Sequence, residues 1–402
     1  IGLSPKSQYF YRVVVRDVDG LESLSNEVDG TTLAGMDFPL LDTGESGPAT
    51  WNAEHPWALS DESAHDGSLA WSDSPAGDYA NGLAGTSLTL AAPVDLSAAT
   101  RPVLSFWHTY AFPGNDHGLV EVSTNGGLDW SALADYTDDS TDEWNHVQLD
   151  LSAYRTVSVL VRFRVTTDSG TTGDGWHVDD ISLSEQPTSL DAPVLTEHGP
   201  HSVRLTWTEG SDVSFAHYAI HRANPSGAAM NTPLVATIAD PGSTTCVDAG
   251  LTIGETYAYR VYIVNSYGAY GPDSANESSF TTAALSLPFS DDFESGLGHW
   301  ELTGEWSTTA ADAHGGSYSL QDTPGDYPPN TDATITTQLD LAETDWPVLT
   351  FWDRFAYERR ADYGAVEVSR DGSSWSPIYS ANGERATWER QRVDLSPWRG
   401  ED

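Results

Sequence analysis

The sequence predicts an all-β protein in which two kinds of β-sandwich module alternate. Three observations carry this. The stretch at 102–130, PVLSFWHTYAFPGNDHGLVEVSTNGGLDW, returns at 347–375 as PVLTFWDRFAYERRADYGAVEVSRDGSSW. A second kind of block, at 1–35, returns at 249–283 with a constant offset of 248. The 35 glycines and 22 prolines, set between strand-sized apolar segments, favour many short strands over long helices.

Composition narrows the partners. A chain of 402 residues accommodates about two to four domains. Its 60 acidic residues face 18 basic ones, a net charge of −42, and Lys6 is the sole lysine. Nucleic acid and an anionic membrane both need a basic face, so neither is expected as a partner. No apolar run is long enough to span a membrane. The acids read as a solvated surface of the kind suited to a salty medium, which is also compatible with divalent cations. Cys246 is alone, so stability must come from buried core; in TTCVDAG it reads as a small buried hydrophobe.

Within 1–35, the alternation from Tyr9 to Val15 reads as a half-buried strand. Leu3, Tyr9, Tyr11, Arg12, Val13 and Gly20 match Leu251, Tyr257, Tyr259, Arg260, Val261 and Gly268. Leucine, a turn, and tyrosine six residues on is the spacing of the tyrosine corner of immunoglobulin-like sandwiches. In 187–284, Val203, Leu205 and Trp207 fit an early strand, and Tyr218, Ile220 and Arg222 the next. This segment resembles a complete fibronectin type III domain, and 1–35 resembles the back half of another. The resemblance implies a seven-stranded sandwich.

Residues 36–186 hold the first copy of the other module. The blocks WALSDESAHDGSLAWSDSPAGDY, SLTLAAPVDLS, EWNHVQLDLSAY, VSVLVRFRVTTDSG and GDGWHVDDISLSE surround the repeated stretch, which reads as two strands and a turn. Residues 285–402 hold the second copy, truncated at its C-terminal end: it lacks counterparts of 159–165 and 175–183. The natural protein is therefore expected to continue in both directions. The L-x-F-W, V-E-V-S-x-x-G-x-x-W and D-G-W-x-V-D-D-I motifs resemble jelly-roll modules of the MAM and carbohydrate-binding type, above all those appended to immune inhibitor A-type metallopeptidases. Linkers at 31–35, 185–189 and 283–286 are short, which implies a semi-rigid string with small interfaces between neighbours.

No catalytic constellation is legible. None of the twelve histidines lies in H-E-x-x-H or H-x-x-E-H, and no G-x-S-x-G elbow or phosphate loop is present. The chain is read as non-catalytic. The jelly-roll resemblance instead implies one structural Ca2+ per module, held by an acid near the first strand, an entry loop and an acid on the last strand. Carried over, this selects Asp42 or Glu45, the loop with His65 and Asp66, and Asp179 or Asp180; in the second copy it selects Asp291 or Glu294 and the loop at 314–317. The alternative is that these acids cap turns. His65 recurs as His314 and reads as a hydrogen-bonded turn histidine. Trp107, Trp130, Trp352 and Trp375 recur inside strand patterns and are expected in the core. Trp51, Trp57, Tyr79, Tyr110 and Phe112 lie near loops and are expected to be the more exposed aromatics. Asn276 heads a glycosylation sequon.

The leading expectation is an adhesive or structural stalk of a secreted or surface protein, extracellular or on the cell surface. An accessory array binding glycan or protein for a large secreted hydrolase is the second. A filament or sheath subunit, formed by self-assembly, is the third.

Overall fold

A computed structural model describes residues 8–31, 35–141, 143–273, 277–327, 331–342 and 344–399. The architecture is all-β, with fibronectin-like and jelly-roll-like sandwiches. Asn276 lies outside the described residues.

The first jelly roll is one ten-stranded hydrogen-bonded system. Its path runs Trp51–Ala53, Thr86–Leu90, Leu160–Thr166, Pro102–Ser123, Gly175–Glu185, Ala70–Ser72 and Ala58–Ser60; Ser131–Ser140, Asn145–Asp150 and Leu40–Asp42 pair off this path. The 102–130 stretch corrects the expectation of two strands. Pro102–Ser123 is one 22-residue strand whose first half pairs with Asn145–Asp150 and Gly175–Glu185, and whose second half pairs with Ser131–Ser140 and Leu160–Thr166. The Pro-Gly-Asn-Asp segment, which looks like a turn, is absorbed as a register shift between Phe112 and His117. In the second copy the same stretch does split, into Val348–Ala356 and Gly364–Val368.

Leu160–Thr166 shows why these segments are strands. Val161, Phe163 and Val165 alternate inward and are fully buried. Arg162 and Arg164 alternate the other way, and both donate Nε–H to the buried Glu121 carboxylate, at 2.7 and 2.9 Å. The core is aromatic: Phe106 meets Phe163 edge-on at 5.1 Å, and Phe163 meets Trp176 at 5.5 Å. Gly118 is glycine because a Cβ there would run into the Phe112 ring.

The aromatic assignments are reversed. Trp51, Trp57, Tyr79 and Phe112, expected near the surface, are at most 4% exposed and belong to the core; Tyr110 packs against it half-buried. The recurring tryptophans stand outside the core. Trp352 and Trp375 are each 44% exposed, and Trp107 and Trp130 are half-buried. The cause is strand parity. Phe106 and Trp107 are adjacent, so one points in and the other out, and Phe106 takes the core.

The following sandwich has a three-stranded sheet (Val194–Gly199, Ser202–Thr206, Thr245–Ala249) against a four-stranded one (Leu234–Ile238, Phe215–Ala223, Thr256–Asn265, Ser278–Thr281). Val203, Leu205, Trp207, Tyr218, Ile220, Leu251 and Tyr259 form its core. The Tyr257 hydroxyl accepts the Thr252 N–H at 3.1 Å, which is the corner the sequence spacing predicts. Buried Asp248 accepts from Arg222 at 2.8 Å and from the Tyr259 hydroxyl at 2.7 Å. Cys246 is half-buried against this core, and burial raises its thiol pKa. Ahead of the first jelly roll, Gln8–Tyr11 pairs with Val28–Thr31 and Val14–Arg16 with Glu22–Leu24.

Candidate functional site

Two places draw chemistry together. One is the corner of carboxylates that the sequence singles out. The other is a cleft where the first jelly roll meets the sandwich.

At the corner, each acid is engaged by N–H groups. Asp42, on the strand Leu40–Asp42, is 4% exposed. Its Oδ2 accepts from the indoles of Trp51 at 2.6 Å and Trp71 at 3.2 Å, and its Oδ1 accepts from the Gly44 amide. Glu45 Oε1 accepts the Ser68 and Leu69 amides at 2.6 and 2.8 Å. Gly67, at φ +68°, is glycine because a Cβ would stand 2.5 Å from that oxygen. Asp179 accepts the His65 amide at 2.9 Å and the Asp180 amide at 2.8 Å. Burial pushes its pKa up to about 6 against these hydrogen bonds. Asp180 holds His65 Nδ1 at 2.7 Å, and the Asp66 carboxylate accepts from the Gly67 amide.

The second copy rebuilds the pattern. Glu294 Oε1 accepts the Ser317 and Tyr318 amides at 2.6 and 2.7 Å, and Asp291 accepts the Trp300 indole at 2.8 Å. Among the described residues no group of three or more His, Cys, Asp or Glu side chains is placed to hold a metal ion. The arrangement ties an entry loop to the first and last strands through hydrogen bonds.

His65, fixed by Asp180, lies flat on Trp107, with ring centroids 3.8 Å apart and planes 10° apart. Trp144 approaches the same imidazole edge-on at 6.1 Å. His314, Trp352 and Trp388 repeat this trio, with the stack at 3.7 Å and the edge contact at 6.4 Å. In the first copy the trio shares a cleft with residues of the sandwich.

That joint is specific. Asn231 accepts the His146 N–H and donates to the His146 carbonyl, each at 3.0 Å. Gln148 donates to the Tyr270 carbonyl at 2.7 Å and accepts the Tyr270 N–H at 2.8 Å. Asn265 donates to the Glu185 carbonyl at 2.9 Å, inside the linker. The His146 ring sits between Trp107 and Tyr270, and burial pushes its pKa down to about 3, so it is neutral near pH 7. Five hydrogen bonds between side chains and main chain thus cross this junction. Short polar side chains here read and answer main-chain groups, which fixes register as a strand pair does.

Above the joint lies a cleft of about 340 Å³. His65, Trp107, Glu143, Trp144 and Asn145 line it from the jelly roll; His221, Met230, Asn231, Thr232, Leu234 and Tyr270 line it from the sandwich. His221 is 3% exposed, its Nδ1 donates to the Thr232 carbonyl at 2.8 Å, and its Nε2 has no hydrogen-bond partner. Rings at the walls and one exposed carboxylate at the mouth suit a ligand with both apolar faces and polar edges. Sequence reasoning noted the recurrence of His65 and Trp107 but read the first as a turn histidine and the second as core, not as walls of a cleft. It missed Trp144, His221 and Tyr270, which only the packing of two domains brings together.

The molecule is thus a tandem β-sandwich repeat protein whose first jelly roll and following sandwich are hydrogen-bonded to each other. Residues 95–184 match the Reelin subrepeat B family. Bacillopeptidase F of Bacillus subtilis (strain 168) is 25% identical over 186 residues, which is 44% of this chain and 13% of that protein. Among solved structures, the Endo-D glycoside hydrolase domain of Streptococcus pneumoniae R6 aligns with 61% of this chain and 37% of its own, at 15% identity and TM-score 0.31. A xylan-binding domain of CBM 22 aligns with 36% of this chain and 93% of its own, at 14% identity and TM-score 0.27. A fibronectin type III domain of human collagen XX aligns with 24% of this chain and 91% of its own, at 20% identity and TM-score 0.19. No helix among the described residues is long and apolar enough to cross a membrane.

Proposed function

We propose that this chain is a non-catalytic accessory region of a larger extracellular hydrolase, and that it holds a glycan or protein ligand in the cleft between jelly roll and sandwich. The cleft carries the reading: aromatic walls from two domains stand at a joint that reciprocal hydrogen bonds hold still, so a site built across it is preorganised. The similarity to Bacillopeptidase F supports placement beside a hydrolase. Arrays of glycans and of unfolded proteins probed with the whole chain test it. Replacing Trp144 by Ala is expected to weaken the bound ligand tenfold or more, about 1.4 kcal/mol, with the melting midpoint unchanged. An unaltered affinity would remove the cleft from recognition. The hydrogen-bonded joint also favours a second reading, as a stiff spacer, which small-angle scattering would report as one elongated particle whether or not a ligand binds.

Calcium enters this proposal as a staple at the acidic corner. Asp42 and Asp179 spend oxygens on N–H groups, so the ion would draw on Glu45 Oε2, on Asp66 Oδ2 and on loop carbonyls. A chelator is then expected to lower the melting midpoint. An unchanged midpoint leaves the hydrogen bonds as the sole fastening.

A further inference from the structure

The charges around the cleft between the first jelly roll and the sandwich name a ligand class. No lysine or arginine stands among the residues that line it. Burial lowers the pKa of His221 and of nearby His146, so both rings are neutral near pH 7. Any charge on His65 is matched by Asp180, 2.7 Å away. Arg260, opposite His221 in register, is held by Asp273 at 2.9 Å. Glu143 is left. It is exposed, and its carboxylate has no hydrogen bond or ion pair among the described residues. An anion entering the cleft would meet this carboxylate and no free cation, in a chain of net charge −42; a cation would be drawn by both.

The walls suit a cation on an apolar stem. Trp107 already carries the His65 ring on one face, and His146 approaches it at 5.1 Å. Trp144 meets the same His65 imidazole edge-on, and the guanidinium groups that lie over rings use Trp130, Tyr257, Trp398 and Phe355 instead. Met230 and Leu234 supply apolar surface from the sandwich. The polar side chains of the walls are mostly spent inside the protein. Asn231 serves the His146 main chain in both directions, Thr232 Oγ1 donates to the Ala229 carbonyl at 2.8 Å, and Asn145 Nδ2 donates to the Glu143 carbonyl at 3.2 Å. A ring of sugar hydroxyls would find few partners here. An alkyl stem needs none, and a charge at its end gains an indole face and a carboxylate.

Lysine and arginine side chains have that form. On the reading of this cleft as a ligand site, we infer that it takes the basic side chain of a polypeptide. The stem lies along Met230 and Leu234, and the ammonium or guanidinium group sits between the Trp144 indole and the Glu143 carboxylate. Both walls belong to hydrogen-bonded neighbours within one chain, so no second copy is needed.

The test titrates the whole chain, by calorimetry and tryptophan fluorescence, with end-blocked pentapeptides that carry one arginine or one lysine between glycines and serines. A third peptide carries citrulline, which has the shape of arginine without its charge. Saturable binding of the two basic peptides is expected, weakened by added salt, with the citrulline peptide bound tenfold less tightly or worse. Glu143→Gln should weaken the basic peptides about tenfold with an unchanged melting midpoint, since the side chain is exposed. Glu358→Gln, at an exposed acid of the second jelly roll, removes the same unit of net charge and should change nothing, which separates the cleft from the field of the whole chain. Equal affinity for the citrulline peptide, or a loss in Glu143→Gln no larger than in Glu358→Gln, overturns the inference. So does binding of a glucosamine tetramer in place of the peptides, which would assign the cleft to an amino sugar. If the basic peptides fail while a neutral ligand from the arrays still depends on Trp144, the cleft remains a ligand site and its preference for a basic side chain falls. If the basic peptides bind Trp144→Ala as tightly as the parent, the cleft itself is excluded.

Discussion

Asp42→Ala is expected to destabilise the first jelly roll by about 4 kcal/mol, measured as the loss in free energy of unfolding in urea. The carboxylate is buried and ends the strand Leu40–Asp42, opposite Ile181. Removing it orphans the indole N–H groups of Trp51 and Trp71, themselves 4% and 2% exposed. A buried donor left without a partner costs about 1–3 kcal/mol, and hydrogen bonds to a charged acceptor lie at the strong end. Asp42→Asn keeps one acceptor oxygen and should cost about half as much. A loss below about 1 kcal/mol for the alanine variant would mean that water or another group replaces the carboxylate. The experiment also separates two roles. If Asp42 ligated calcium, the alanine variant would lose its response to a chelator; as an anchor for indoles, it leaves that response untouched.

Asp73→Asn is expected to be as stable as the parent near pH 4 and clearly more stable at pH 8. Asp73 is fully buried. Burial, opposed by hydrogen bonds from the Trp176 amide and Ser74, pushes its pKa from 3.8 up to about 7. Its Oδ2 has no hydrogen-bond partner. The sign follows from linkage. The folded state holds the proton more tightly than the unfolded chain, so the stabilisation is complete below pH 3.8 and is lost as pH rises through about 7. The full span is on the order of 4 kcal/mol. Asparagine has the shape of the protonated acid and no charge to bury, so it removes this slope. Melting midpoints of parent and variant, taken in parallel from pH 4 to 8, read the difference while the other carboxylates cancel. Parallel curves would show that Asp73 titrates normally.

Local chemistry made much of the fold readable. The tyrosine corner at Tyr257 is set within a few residues, by turn sterics, and stands in the structure where the sequence puts it, whereas the repeated stretch forms one strand in the first copy and two in the second. Recurrence likewise singles out Glu45 and His65 in the sequence, and the entry loop is fastened by Glu45 in the first copy and by Glu294 in the second.

Strand parity says that Phe106 and Trp107 face opposite ways, but not which way is inward. That depends on what each side of the sheet meets: Phe163 against the one, the His65 ring and a cleft shared with the neighbouring sandwich against the other. The loop aromatics Trp51 and Trp57 read as exposed because polar turns flank them, yet they close the core. An acid in a sequence likewise does not disclose whether its oxygens meet a cation or an indole. Asp42 meets two indoles because strands brought from residues 51 and 71 set them there. Period, turn and repeat are properties of neighbours along the chain and can be read from it. Burial, pairing and the cleft are properties of neighbours in space, set by long-range packing that no local pattern encodes.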